Sequence, residues 1–327
     1  MLVILLGLLA AFLFAAAAFL QQQGARATVA EHGRGDRHAS IVTTIAPLMG
    51  RLVRNRVWLS GWSTNLTGFL TQGAALHLGS VVVVQPLLST QLLFALPMSS
   101  LRQRRWPAAR DWWSVLSICG GLVSLFAVEG IAPLGGRPDR PRIAVAVLSA
   151  MVLVGVLVLA GTRCRLQVSS VLVAVGAGVC FAMTAVFMTL TAEDLVTRGV
   201  AATAVDWPGY CLAASTLTGL LLEQAAFAGG PLSWSLAAMN VTNPVVSYGV
   251  GVFAFQARMA GDLLSLAGIG VAGTLIALGV VGLAHSPTAR ASWVGQARTL
   301  ERMPDGPRPG ETGPRTTTTR PQDSDGD

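Results

Sequence analysis

Apolar blocks of span length alternate with short polar gaps along most of the chain. One helix needs about 20 consecutive apolar residues to cross the hydrocarbon core of a bilayer. Nine blocks meet that need: 2–20, 57–78, 80–100, 112–131, 143–162, 168–190, 207–228, 232–255 and 261–284. The first lacks a basic leader and exceeds the apolar core of a signal peptide, so we interpret it as a span. The shorter block 41–50 is expected to lie at the membrane interface or to dip into it.

Composition supports an all-α membrane protein over a soluble one. The chain is 52% hydrophobic and 12% charged, whereas soluble domains carry about 25% charged residues. Its 23 basic residues are all arginines and are dispersed among the gaps, unlike the clustered charge of a nucleic-acid-binding face. The four cysteines form no CxxC pair, and no HExxH, P-loop or GxSxG motif is present. We therefore expect no metal site, no cofactor and no enzyme activity.

The arginines favour every second gap. Eighteen of the 23 lie in gaps 21–56, 101–111 and 163–167 or after residue 284. Cytoplasmic loops carry the excess of Lys and Arg, which places the N-terminus outside and the C-terminus in the cytoplasm of a multi-pass cell-membrane protein. The Pro-, Gly- and Thr-rich tail 285–327 is expected to be a disordered cytoplasmic segment.

An internal repeat relates the two halves of the chain. LTGFLTQGAALHLG (66–79) and LTGLLLEQAAFAGG (217–230) match at seven of 14 positions with a constant offset of 151. The match pairs spans 1–4 with spans 6–9, and because partners differ by an odd number of spans, the repeats are inverted.

The repeat sets the predicted domain organisation. The units are a first repeat 1–131 with its basic cytoplasmic loop 21–56, a connector 132–167 with span 5, and a second repeat 168–284. Inverted repeats are a recurrent plan of secondary transporters, whose solute site lies near the midplane where the repeats meet.

Two longer segments resemble a known family. VVQPLLSTQLLFALP (83–97) and LLLEQAAFAGGPLSWSLAAMNVTNPVVSYGVGVFAF (220–255) are similar to the drug/metabolite transporter superfamily, in particular to actinobacterial EamA-like members. The resemblance covers nearly all of 1–284. It implies a membrane carrier of small molecules and specifies no substrate.

Acids inside predicted spans are candidates for function because burying a carboxyl in lipid is costly. Glu223, beside Gln224 in span 7, is the better candidate for a proton-coupling site. The alternative is a carboxyl that reaches the inner interface or pairs with a polar neighbour. Glu129, at the outer end of span 4, is interpreted as reaching external water.

Amides and prolines in repeat-related spans form the second candidate set. Proline frees a backbone carbonyl, and amides offer donors and acceptors without net charge. They are expected to line a solute pathway, the alternative being helix kinks and interhelical bridges. The set, with one glutamine of span 2, is Gln72, Gln85, Pro86, Gln91, Asn240, Asn243 and Pro244. Trp62, near a span end, is interpreted as an interfacial anchor.

These features together predict a secondary transporter of small molecules, with Glu223 as the candidate site of proton coupling. The expected partners are a small-molecule solute and the lipid bilayer, with no nucleic acid. A divalent-cation (magnesium) transporter and a non-transporting membrane scaffold are the alternatives. Mg²⁺ prefers one or two carboxylates with retained waters, and the two candidate acids lie near opposite faces, which argues against the first alternative.

Overall fold

A computed structural model describes residues 1–32, 45–79, 81–101, 106–127, 139–256 and 263–285. These residues form helices and contain no strand. The helices are α1 (Leu2–His32), α2 (Ile45–Leu52), α3 (Arg56–Leu78), α4 (Val81–Ser89), α5 (Gln91–Leu101), α6 (Ala109–Ala127), α7 (Arg140–Arg163), α8 (Leu166–Val205), α9 (Trp207–Gly229), α10 (Leu232–Ala254) and α11 (Leu263–Ala284).

The predicted all-helical membrane architecture is confirmed at this level. Each of the nine apolar blocks falls on a helix, or for block 80–100 on the two helices α4 and α5. Within the described ranges, five helices are long and apolar enough to cross a membrane, namely α1, α7, α8, α9 and α11. The number of nine spans stays a prediction.

Two helices extend well past the apolar blocks that predicted them. α1 continues from residue 20 to His32, and α8 continues from residue 190 to Val205. Hydropathy marks the part of a helix that suits lipid, whereas backbone hydrogen bonding continues into polar surroundings. The second extension is interrupted at Gly199, whose φ of +79° favours glycine.

The third block is broken between α4 and α5. The break lies at Thr90, one turn after Pro86, and the Thr90 N–H donates to the carbonyl of Leu87 three residues back. Proline removes one helical donor and crowds the preceding turn, which favours such a break. Pro244, by contrast, lies inside the unbroken helix α10.

Three helix pairs pack most extensively: α1 with α3, α8 with α9, and α6 with α11. Glycines permit the close approach in each pair. A methyl group at Gly68 would lie 3.2 Å from the Phe14 ring, and one at Gly219 would lie 2.9 Å from the Phe181 ring. These separations leave no room for a larger residue in either pair.

α7 differs from the other helices. It packs on α8 and α10, and most of its apolar side chains, among them Leu148, Met151 and Val152, are exposed. A helix that is apolar all round and largely unburied by protein suits contact with lipid.

Three sequence expectations lie wholly or partly outside the described residues: the position of Glu129, the disordered character of the tail from residue 286 onward, and the first four residues of the predicted interfacial block 41–50, whose last six belong to α2.

Candidate solute cavity

A cavity of about 160 Å³ lies among α1, α3, α5, α8, α9 and α10. Its polar lining consists of Gln21, Asn65, Gln91, Glu223, Asn240 and Asn243. Its apolar lining consists of Phe14, Ala18, Trp62, Phe181, Leu220, Leu236 and Met239. Four residues that the sequence predicted as site residues therefore share one cavity: Glu223, Gln91, Asn240 and Asn243.

The Glu223 carboxyl is the ionisable group of this lining. Within the part of the chain that the structure describes, Glu223 makes no hydrogen bond and no ion pair. An unpaired carboxylate away from bulk water is costly. The cavity therefore presents an acid that is open to a proton or to a cationic partner.

Two amides meet across the cavity. Gln91 of α5 donates from Nε2 to Oδ1 of Asn240 on α10, at 2.7 Å. The Asn240 amide nitrogen is itself held by the carbonyl of Leu236 at 2.9 Å. These two hydrogen bonds fix which atom of the Asn240 amide is the oxygen and which is the nitrogen. Each sequence-predicted amide set thus contributes to one bridge between helices.

A cluster of buried amides adjoins the cavity, since Gln21 belongs to both. Gln224 donates from Nε2 to Oε1 of Gln21 at 2.8 Å and accepts from Trp58 Nε1 at 2.9 Å. Gln22 donates to the carbonyl of Gly230 at 2.8 Å. We call Gln21, Gln22, Trp58 and Gln224 the glutamine cluster. Its bonds join α1 and α3 to α9, so these helices can separate here only if several buried hydrogen bonds break.

Aromatic rings form part of the wall. Phe14 and Phe181 line the cavity, each packed over a glycine of the neighbouring helix. The buried indole N–H of Trp62 has no hydrogen-bond partner among the described residues. Trp62, interpreted from the sequence as an interfacial anchor, lines the cavity instead.

The remaining predicted site residues lie outside the cavity. Gln72, Gln85, Pro86 and Pro244 are half-buried on their helices and do not line it. Gln224 does not line it either, and belongs to the glutamine cluster. Helical periodicity accounts for this, since neighbours in the chain point about 100° apart around a helix.

Sequence reasoning missed Gln21, Trp62 and Asn65 as lining residues. One signal was available: Gln21 begins a run of three glutamines at the end of an apolar block. That run was interpreted as the end of a span, but the helix continues through it. Trp62 and Asn65 are one turn apart on α3 and could have been found only by knowing which face of α3 meets the other helices.

An ion-pair cluster lies where α7 and α9 begin and α8 ends. Arg198 contacts Asp206 at 2.6 Å and Asp194 at 3.5 Å, and Arg140 contacts both acids at 3.5 Å. The hydrogen bond from the Trp207 N–H lowers the pKa of Asp206 below its usual value, and Arg198 adds to the effect. Asp206 also caps α9. The cluster ties three helix ends together.

No metal-binding group stands out. Among the described residues, no set of three or more His, Cys, Asp or Glu side chains is placed to hold a metal ion. The cavity offers one carboxylate together with uncharged amides.

Comparison with known proteins adds one relative. The chain is 28% identical over 218 residues to an uncharacterized protein of Corynebacterium glutamicum, a match that covers 63% of this chain and 71% of the relative. No family model matches the chain. No solved structure matches it either.

Proposed function

We propose that the protein is a secondary transporter of small molecules that works by alternating access at the cavity. The observation that carries this proposal is that both predicted repeats contribute residues to the cavity lining. Phe14, Asn65 and Gln91 come from the predicted first repeat, whereas Phe181, Glu223 and Asn240 come from the second. A polar cavity at the junction of two repeats is where such transporters bind their solutes, and it argues against a packed scaffold.

Matched contacts in the two halves support inverted repeats. Gly68 lies against Leu13 and Phe14, and Gly219, its repeat partner, lies against Cys180 and Phe181. Leu13 and Cys180 differ by 167 residues, as do Phe14 and Phe181. The first helix of each half therefore meets the second in the same register.

The ends of these helix pairs repeat the same correspondence. Gly79 lies against Val3, and Gly230 lies against Ser170, again with an offset of 167 on the first helix. Gly79 and Gly230 end their helices with nearly equal backbone angles, φ −145° and ψ 174° against φ −138° and ψ 174°. Equal contacts at both ends of the pair support a structural repeat.

α6 and α11 contact each other in a reciprocal way. A methyl group at Gly121 would lie 2.7 Å from the Ile276 side chain, and one at Gly279 would lie 2.6 Å from the Ile118 side chain. Gly121 and Gly279 differ by 158 residues, and so do Ile118 and Ile276. Reciprocal contacts of this kind are typical of a two-fold axis, here an approximate axis between the two repeats.

The two ends of the cavity are not equivalent. α1 packs on α9 through the glutamine cluster, whereas the repeat-related helices α8 and α3 hardly touch. The predicted topology places the glutamine cluster on the cytoplasmic side. The described conformation would then be closed to the cytoplasm and looser toward the outside, as one state of an alternating-access cycle requires.

Glu223 is proposed as the coupling site, because a lone carboxyl in a sheltered cavity can load and release a proton. In proteoliposomes, a pH gradient is expected to drive solute flux through the wild-type protein, and Glu223→Gln is expected to reduce that driven flux to background. Solutes are found by screening metabolite mixtures. Glu193→Gln, an exposed acid of α8 outside the cavity, is the matched control and should retain the flux. Flux that ignores both the gradient and Glu223→Gln would remove the coupling role.

A further inference from the structure

The charge of the cavity restricts what it can hold. Glu223 supplies one carboxylate, and the described lining contains no arginine or histidine. Arg26, in the part of α1 that follows the glutamine cluster, donates to the carbonyl of Gly230. An anionic solute would meet uncompensated repulsion, and a neutral solute would leave a proton as the partner of the carboxylate. A cation would supply the missing charge.

The walls favour an organic cation over a metal ion. The rings of Phe14, Trp62 and Phe181 line the cavity together with aliphatic side chains. Aromatic faces attract ammonium groups, and they bind the apolar body of a solute. A hard metal ion favours oxygen ligands and would gain nothing from this apolar part of the wall.

Size and hydrogen bonding restrict the solute further. The volume of about 160 Å³ is similar to that of a protein cavity of roughly 150 Å³ that accommodates benzene. The amides of Asn65 and Asn243 lie in the same wall and offer acceptors for ammonium N–H groups.

On the basis of the proposed transport function, we propose that the solute is a small organic cation. It carries an ammonium group that pairs with Glu223 and an apolar body, of about the size of one aromatic ring, that packs on Phe14, Trp62 and Phe181.

Three ligands of nearly equal size and different charge test this assignment: benzylammonium, benzyl alcohol and benzoate. Saturable binding to the purified protein in nanodiscs is measured by competition against radiolabelled benzylamine. We expect benzylammonium to bind roughly tenfold or more tightly than benzyl alcohol, and benzoate to compete least, because the three ligands share the ring and only the ammonium group gains a paired charge and a cation–π contact.

Variants identify the source of that preference. Glu223→Gln is expected to bring the ratio of benzylammonium to benzyl alcohol affinity close to one. Glu223→Asp keeps the charge and should retain a reduced preference, and Glu193→Gln should retain the wild-type ratio. Size-exclusion profiles and melting temperatures establish that each variant is folded. Equal binding of the cation and the alcohol by the wild type, a preference that survives Glu223→Gln, or no saturable binding of any of the three ligands would overturn the inference.

The result is separable from the transport proposal. Gradient-driven flux of an uncharged solute, together with equal binding of the three ligands, would leave a carrier and remove the cation assignment. Cation-selective binding that depends on Glu223, in a protein that moves no benzylammonium in counterflow assays, would keep the binding site and remove the carrier.

Discussion

Glu223 and Gln224 are adjacent in the chain and have different surroundings. Glu223 faces the cavity and has no partner among the described residues, whereas Gln224 is 2% exposed and bonded on both sides. One residue of helical rotation separates the two side chains by about 100°. The first is placed for binding and the second for closing the cavity.

Gln224→Leu is expected to destabilise the closed end. It would leave the Trp58 indole N–H and the Gln21 amide without their partner, and each buried unsatisfied group costs about 1–3 kcal/mol. The melting temperature in detergent should fall. Gln72→Leu is the matched control, because half-buried Gln72 makes no hydrogen bond within the described ranges. Equal melting temperatures of the two variants would contradict a stabilising role for the cluster.

Asp206 gives a prediction for acid pH. Its pKa is lowered in the folded protein, by the Trp207 N–H first and then by Arg198, so its stabilising effect is complete above the unfolded pKa of about 3.9. The effect is lost as pH falls through the lower folded value. Asp206→Asn should therefore melt below wild type at pH 7, and the gap should narrow toward pH 3. A gap that is constant with pH would show that the charge contributes nothing.

At the level of elements, glycine contacts set how closely the helices approach. A methyl group at Gly279 would lie 2.9 Å from the Ile118 backbone nitrogen, whereas one at Gly273 of the same helix would meet nothing within 4 Å. Helical backbone atoms cannot relieve a close contact by a rotamer change, as a side chain can. The two sites therefore separate crowding from the general preference of helices for alanine.

Gly279→Ala and Gly273→Ala are expected to change stability in opposite directions. The first forces α6 and α11 apart, at a cost of about 1–3 kcal/mol. The second gains up to about 1 kcal/mol of helix propensity. Thermal unfolding in one detergent compares them. A rise in melting temperature for Gly279→Ala would show that the two helices are not tightly packed in solution.

The apolar pattern located the helices well, because the length of an apolar run is a local property. The register between helices is not local, so the pattern placed Gln85 and Pro86 in the site as readily as Gln91. The structure puts Gln91 alone of these three in the cavity. Trp62 was not recognised as a lining residue for the same reason, since contact with other helices cannot be inferred from position along one helix. The match between Gly68 and Gly219 could be recognised in the sequence because both glycines make the same kind of helix contact.

For the whole molecule, the proposed cycle exchanges closure at one end for closure at the other. By the repeat offsets, the counterparts of Gln21 and Gln224 are Met188 and Gly73. Met188 is 61% exposed, and Gly73 has open space where a side chain would lie. These two positions are expected to meet when the glutamine cluster separates.

Paired cysteines test that exchange in a background without the exposed thiol of Cys164 or the half-buried thiol of Cys211. A Gln21→Cys/Gln224→Cys pair should cross-link in the described state. A Gly73→Cys/Met188→Cys pair should cross-link in the opposite state, and either bond should stop flux until it is reduced. Failure of the second pair to react under any solute or pH condition would contradict the proposed exchange.

α7 has a consequence for how such a molecule is built. It packs chiefly on α8 and α10 of the second half and exposes much of its apolar surface, so the main contacts between the two halves are made by other helices. In the proposed topology, α7 crosses the membrane once, and this crossing gives the second half the orientation opposite to that of the first. Deleting 140–163 would make both halves start on the same side of the membrane and insert in the same orientation. The surfaces through which the halves meet would then no longer match. Supplying the halves as two separate polypeptides should restore the pairing, provided that each is free to insert in its own direction.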